Sequence, residues 1–181
     1  MFFPNLNIVI TGPESSGKTW LSQSLSEHYE TIWTPEFTRS YLKTIDRPYV
    51  EEDLLIIAKT QLEKQKSDLL LANRFLFSDT GLLVLKIWSE VKFGRCAPWI
   101  DRELKNGHYD LFLLCAPDLP WVYDPLRENP DDRALLFERY ETTLKRFELP
   151  YAVITGEGEA RLLNATQAVE RFLLTPGISQ Y

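Results

Sequence analysis

Eight consecutive residues, Gly12-Pro13-Glu14-Ser15-Ser16-Gly17-Lys18-Thr19, constrain this chain more than any other stretch of it. They fit the pattern G-x-x-x-x-G-K-[ST] and stand between a strand-like run, Asn7-Ile8-Val9-Ile10, and a helical continuation, Trp20-Leu21-Ser22. Each residue type has a physical task there. Gly12 and Gly17 permit backbone conformations in which successive N–H groups point at phosphate oxygens. The helix beginning near Lys18 adds the positive end of its dipole. Lys18 neutralises β- and γ-phosphates, and the Thr19 hydroxyl is a magnesium ligand. Positions 12–19 therefore read as a phosphate loop (P-loop) that holds a nucleotide.

A strand feeding such a loop requires an α/β fold, and the remaining sequence supplies the other elements. Continuous apolar runs at 6–11, 74–78, 111–115 and 151–155, with a weaker one at 31–34, suit strands covered on both faces. Helical patterns occupy 18–29, 51–73, 81–92, 131–147 and 159–173. Asp131 and Asp132 suit a helix N-terminus. The alternation predicts a central parallel sheet of about five strands flanked by helices, in a single P-loop domain. With 181 residues the whole chain, 1–181, fits one domain. Strand order is not readable.

A formal net charge of -6 argues against a general nucleic-acid binder, which normally presents a basic face. Cys96 and Cys115 lack metal-ligand spacing and lie in apolar surroundings, so they read as buried free thiols of a reducing compartment. The segment Met1-Phe2-Phe3-Pro4-Asn5 has no basic stretch of the kind that opens a signal peptide, and no apolar run reaches membrane-spanning length. The expectation is a cytoplasmic protein with no membrane partner; oligomeric state is not readable.

Ligands of parallel sheets bind at the carboxyl ends of the strands, which directs attention to the residues just after each run. Glu36 follows the weak second strand and could accept a proton from an attacking hydroxyl, with Arg39 one helical turn on. The alternative is a helix-starting glutamate beside a surface arginine. Asp79 ends the third run, where a P-loop domain carries its magnesium-orienting carboxylate; it could equally cap the next helix. The proline-rich segment 117–133 suits a lid bringing Arg127 and Arg133 to the phosphates, or a plain surface loop. The stretch from Gly156 to Arg161 could let backbone approach an adenine ring, or be a simple turn. His28 and His108 show no partner pattern and read as surface residues.

Taken together, these segments resemble the ribosylnicotinamide-kinase domain of NadR-type NAD-biosynthesis proteins and the ATPase-like domains grouped with it. The resemblance rests on residues 12–19, on Ser78-Asp79-Thr80, on Trp121-Val122-Tyr123-Asp124-Pro125-Leu126-Arg127 with Arg133, and on Pro150-Tyr151 leading to 156–161. It implies a nucleoside/nucleotide-kinase-like P-loop fold and transfer of the ATP γ-phosphate to the ribose 5′-hydroxyl of nicotinamide riboside. It further implies Trp121 stacking on the flat cationic pyridine ring, Asp124 near the substrate or the lid arginines, and Glu36 in the base position of related kinases. Pro125 and Gly81 depart from the family pattern, which carries a glycine and often a further acid there. No H-x-G-H, the mark of a fused adenylyltransferase, occurs in the chain.

The function expected is a magnesium-dependent ATP:nucleoside phosphotransferase, in the first place a ribosylnicotinamide kinase. Lys18, Arg127 and Arg133 would stabilise the migrating phosphoryl group, and Glu36 or Asp79 would deprotonate the acceptor. Nucleotide would contact 12–19 with Gly156 and Arg161; the nucleoside would contact Glu36, Arg39, Asp79, Trp121 and Asp124; Thr19 and Asp79 would hold magnesium. ATP is favoured because no N-K-x-D guanine-selecting motif occurs. Two alternatives remain: a nucleotide-dependent switch that hydrolyses ATP or GTP slowly, and a kinase for another small hydroxyl substrate.

Overall fold

The computed structural model describes residues 5–124 and 131–175. In chain order these residues form β1 (Leu6–Thr11), α1 (Lys18–His28), β2 (Trp33–Thr34), α2 (Thr38–Leu42), α3 (Glu51–Leu71), β3 (Phe75–Asp79) and α4 (Leu82–Phe93). Then follow α5 (Pro98–Lys105), β4 (Leu111–Cys115), α6 (Arg133–Arg146), β5 (Tyr151–Ile154) and α7 (Gly158–Leu173). The strands make one five-stranded parallel sheet in the order β2–β3–β1–β4–β5. The α/β class and the parallel five-stranded sheet match expectation. The strand order adds what periodicity does not contain: β1 lies at the centre, so its loop opens between β3 and β4.

Both faces of the sheet are buried, and the strands alternate between two cores. Ile8 and Ile10 of β1, Phe75 and Phe77 of β3, and Leu111 and Leu113 of β4 meet Leu21 and Leu25 of α1 and Ala165 and Val169 of α7. Val9, Phe112 and Leu114 face the other way, onto α3, α4, α5 and α6. The side chains of β3 and β4 are all buried and those of β1 nearly so, which is why these runs read as continuously apolar rather than alternating.

Several boundaries differ from the sequence reading. The second strand shrinks to two residues, because Glu30 takes a left-handed φ of 51° and the Thr31 hydroxyl bonds the Phe75 carbonyl at 2.6 Å. The long helix stops at Leu71, since Ala72 is extended; Arg74, with φ of 65°, is the turn that launches β3 one residue later than expected. Helix α6 begins at Arg133, with Asp132 as its capping residue but no bond from the Asp132 side chain. Helices α2 and α5 were not expected. Helix α5 carries the available signal, Pro98 in its first turn. Both cysteines are free, Cys115 fully buried and Cys96 half-buried. No helix among the described residues is long and apolar enough to cross a membrane.

Candidate active site

The loop 12–19 leaves the end of β1 at the middle of the sheet and enters α1. Gly12 adopts φ of 132°, and a Cβ there would lie 2.6 Å from the Cys115 carbonyl oxygen of β4. Only glycine permits both that conformation and that approach. Within the loop the Ser16 hydroxyl and the Lys18 ammonium both donate to the Pro13 carbonyl, each at 2.7 Å. No acidic side chain lies in the first turn of α1, so its positive dipole end is uncompensated.

Asp79 closes β3 beside this loop. The Thr19 hydroxyl donates to Asp79 Oδ2 at 2.6 Å, while Asp79 Oδ1 is buried with no hydrogen-bond partner. Burial pushes this carboxyl up, and the Thr19 hydroxyl, Lys18 and Arg39 oppose the shift. Asp79 does not cap α4, whose capping residue is Gly81. An orphaned carboxylate oxygen beside a threonine hydroxyl fits a hard cation whose other ligands are phosphate and water. Among the described residues no cluster of three or more histidine, cysteine or acidic side chains offers an all-protein metal cage.

The turn that aims Asp79 is held by a network the sequence reading missed. Thr80 sits at a left-handed φ of 65°, a conformation β-branched residues rarely adopt. Its carbonyl accepts from Gln65 Nε2 at 2.9 Å, Gln65 Oε1 accepts from the Tyr109 hydroxyl at 3.0 Å, and that hydroxyl accepts from Leu82 N at 3.3 Å. Gly81 has its own reason here. A Cβ would come within 3.3 Å of the Tyr109 hydroxyl and 3.2 Å of Val9 Cγ1, so a side chain there would press on both.

Glu36 lies across the cavity from Lys18, at the start of α2. Gln61 of α3 grips the backbone on either side of it, accepting from Phe37 N at 2.8 Å and donating to the Pro35 carbonyl at 3.5 Å. Arg39 Nε approaches Glu36 at 3.6 Å, and Arg39 NH1 donates to Asp124 at 2.7 Å. Burial raises the Glu36 carboxyl, the nearby Asp79 charge raises it further, and Lys18 and Arg39 pull it back. The Asp79 charge thus resists ionisation of Glu36, while Lys18 and Arg39 favour the ionised form of both carboxyls.

The described part of segment 117–133 rests on the phosphate loop. Ser15 Oγ pairs with both the N–H and the carbonyl of Val122 at 3.2 and 3.3 Å. Arg133 donates to the Leu119 carbonyl at 2.8 Å and reaches the Ser15 carbonyl at 3.4 Å. Its guanidinium also lies 6.0 Å from the Trp121 ring centroid. Arg127 and Pro125 lie outside the described residues. Trp121 stands beside Arg133 and is not among the described residues that line the cavity.

Gly156 and Arg161 also take places other than those expected. Arg161 is fully buried and spends its donors on protein. It bonds the Gly156 carbonyl at 2.7 Å, the Ser16 carbonyl at 2.8 Å, the Ala116 carbonyl at 3.5 Å and the Asp118 carboxylate. Gly156 N donates to Asp118 at 2.8 Å. Arg161 can therefore act on a nucleotide through the carbonyls it holds rather than by contact. His28 is exposed and His108 pairs with Glu103 at 3.0 Å; neither lines the cavity.

These walls enclose a cavity of about 420 Å³. Its floor is the phosphate loop, its polar side holds Glu36, Thr38 and Arg39, and its apolar side is built by α4 and α6. The aromatic residues that line it are Trp20, Trp88 and Tyr140. Trp88 and Tyr140 sit inside helical patterns that look like ordinary core, and it is the packing of α4 beside α6 that brings both to the cavity wall. Gln61 and Gln65 did leave a signal: two amides four residues apart on the buried stripe of α3, where leucine would be ordinary.

The family described as an AAA domain matches residues 7–161. Over 175 residues the chain is 27% identical to the trifunctional NAD biosynthesis/regulator protein NadR of Salmonella typhimurium, covering 92% of this chain and 42% of that protein. It thus spans less than half the length of that relative. A crystal structure of NadR protein in complex with NR is similar with a TM-score of 0.79 at 18% identity, over 93% of this chain and 52% of the other. A deoxyadenosine kinase from M. mycoides is similar with a TM-score of 0.61 at 14% identity, over 92% of this chain and 100% of the other. At these identities both structures speak to the fold alone.

Proposed function

This chain belongs to the AAA-domain family, and on that premise we propose that it is a magnesium-dependent ATP:nucleoside phosphotransferase. The acceptor is nicotinamide riboside and the product nicotinamide mononucleotide. The observation that carries the reading is the carboxylate Glu36, held by Gln61 on the wall opposite Lys18 with its proton affinity raised. A phosphate loop alone serves hydrolysis as well as transfer. A desolvated carboxylate across the cavity, beside the cation of Arg39, supports an acceptor hydroxyl between them.

In this mechanism Glu36 takes the proton of the acceptor hydroxyl as its oxygen attacks the γ-phosphorus. The bond from that phosphorus to the β–γ bridging oxygen breaks, and ADP leaves with the electron pair. Lys18 and the loop N–H groups, with Arg133 and Arg127, stabilise the charge on the migrating group. Arg39 holds Glu36 and Asp124 in register. Thr19 and Asp79 would hold magnesium, which supplies charge neutralisation at the phosphates. Gly156 and Arg161 support the adenine side through Asp118 and Ser16. The NadR relative, named for NAD biosynthesis, supports the choice of acceptor class.

The test is ADP release from the purified chain with ATP and magnesium across a nucleoside panel that includes nicotinamide riboside. Strong stimulation by nicotinamide riboside, abolished in Lys18→Ala, is the expected result. Slow hydrolysis unmoved by any nucleoside would replace the proposal with a nucleotide-dependent switch.

A further inference from the structure

Helix α4 presents Val84, Ile87, Trp88 and Val91 to the cavity, positions spaced three and four residues apart and so on one face. Leu136 and Tyr140 of α6, also four apart, face them. Trp88 donates its indole N–H to the Tyr49 hydroxyl at 3.0 Å, and the Tyr49 ring packs edge-on against it at 5.2 Å. The polar atom of Trp88 is thereby used, and what it offers the cavity is apolar ring. A slot walled by aliphatic and aromatic carbon suits a flat heterocycle.

Tyr140 differs from the rest of this wall. It is 4% exposed, yet its hydroxyl has no hydrogen-bond partner among the described residues. The hydroxyl is not one of the sealed polar atoms without a hydrogen-bond partner, such as Thr11 Oγ1 and Asp79 Oδ1, so it keeps an opening to the cavity that Tyr140 lines. It lines the ligand space, and the Glu14 and Glu36 carboxylates face the same space. Burial and these two charges push the phenol far up, so it stays protonated and is available as a donor. Gln61 and Gln65 of α3 and Thr34 of β2 all have partners.

Resting on the phosphotransferase reading above, we infer that Tyr140 is a specificity-determining residue for the acceptor. Its hydroxyl donates to an exocyclic carbonyl oxygen on a flat base lying along the α4 wall beside Trp88. A site built around such a donor discriminates against an analogue that lacks the matching atom, because the donor is then left unpaired. The acceptor class is a nucleoside whose base carries a carbonyl or carboxamide oxygen.

The experiment titrates the full chain and Tyr140→Phe with matched nucleosides by calorimetry, in the presence of magnesium and a non-hydrolysable ATP analogue. The pairs are nicotinamide riboside with pyridine riboside, and inosine with purine riboside. The intact chain should bind the carbonyl-bearing member of at least one pair about tenfold more tightly. Tyr140→Phe should lose that preference without a lower melting temperature, because the hydroxyl holds nothing inside the fold. A preference that survives in Tyr140→Phe, or an intact chain that binds neither pair or shows no preference, overturns the inference. ADP release measured in parallel separates it from the phosphotransferase reading. Tyr140-dependent binding without ADP release keeps the inference and sinks the kinase; nucleoside-stimulated release without Tyr140 dependence does the reverse.

Discussion

The Thr19 hydroxyl donates to Asp79 Oδ2 at 2.6 Å, tying the first turn of α1 to the last residue of β3. Sixty residues of sequence separate the partners. They meet because β1 and β3 are neighbours in register, with Ile10 opposite Asp79. The phosphate loop and the carboxylate beside it therefore move as one unit.

Asp79→Asn keeps the shape of this contact and removes the charge. Since the carboxyl is raised by burial, its ionised form costs the fold free energy at neutral pH. We expect a melting temperature equal to or above that of the parent chain, together with a loss of about 100-fold in phosphoryl transfer. Calorimetric melting and ADP release check the two halves. A lower melting temperature would contradict the assignment of a functional cost to Asp79.

Glu36 predicts a pH dependence. A carboxyl with a folded-state pKa above its unfolded value binds its proton more tightly when folded. It favours the fold below the unfolded pKa, and that contribution disappears as pH rises through the raised pKa. Turnover has the opposite sign, because only the ionised form accepts a proton. The rate should climb through the same raised pKa, and Glu36→Gln should flatten both profiles while removing most activity. Rate and melting temperature measured across pH 4–8, on the order of the usual and raised carboxylate range, test this.

Arg161 gives a prediction on stability. Removing it by Arg161→Met leaves the Ser16 and Gly156 carbonyls and Asp118 without their buried partner. The expected loss is about 3 kcal/mol in denaturant unfolding, with weakened nucleotide affinity because the loop loses its hold at Ser16. Arg161→Lys should rescue little, since an ammonium lacks the planar fork that reaches several oxygens.

Gln65→Leu tests the turn behind Asp79. It strands the Thr80 carbonyl and the Tyr109 hydroxyl in a buried setting. About 1–3 kcal/mol of stability should be lost, and magnesium-dependent activity should fall although Gln65 lines no part of the cavity. Unchanged magnesium dependence would show that the turn is held by packing alone.

The elements of the fold were largely legible because each rests on local physics. Residues 12–19 declare a phosphate loop by glycine spacing, and the strands declare burial on both faces by unbroken apolar runs. Helices α2 and α5 were not legible, being 5 and 8 residues long and too short to display a period. Lys86, 1% exposed and paired with Glu90 at 2.6 Å, owes its burial to the elements packed around it.

The site divides along the same line. Sequence by itself determined the phosphate loop, the carboxylates ending or following their strands, and the α/β class, because those follow from neighbours within a few residues. Tertiary structure alone decided that Trp88 and Tyr140 line the cavity, that Arg161 braces Ser16 from below, and that Gln61 and Gln65 hold the turns bearing Glu36 and Asp79. Those facts depend on the strand order and on the angle at which helices cross the sheet. Both are set by packing summed over the two cores, and no local segment carries that sum.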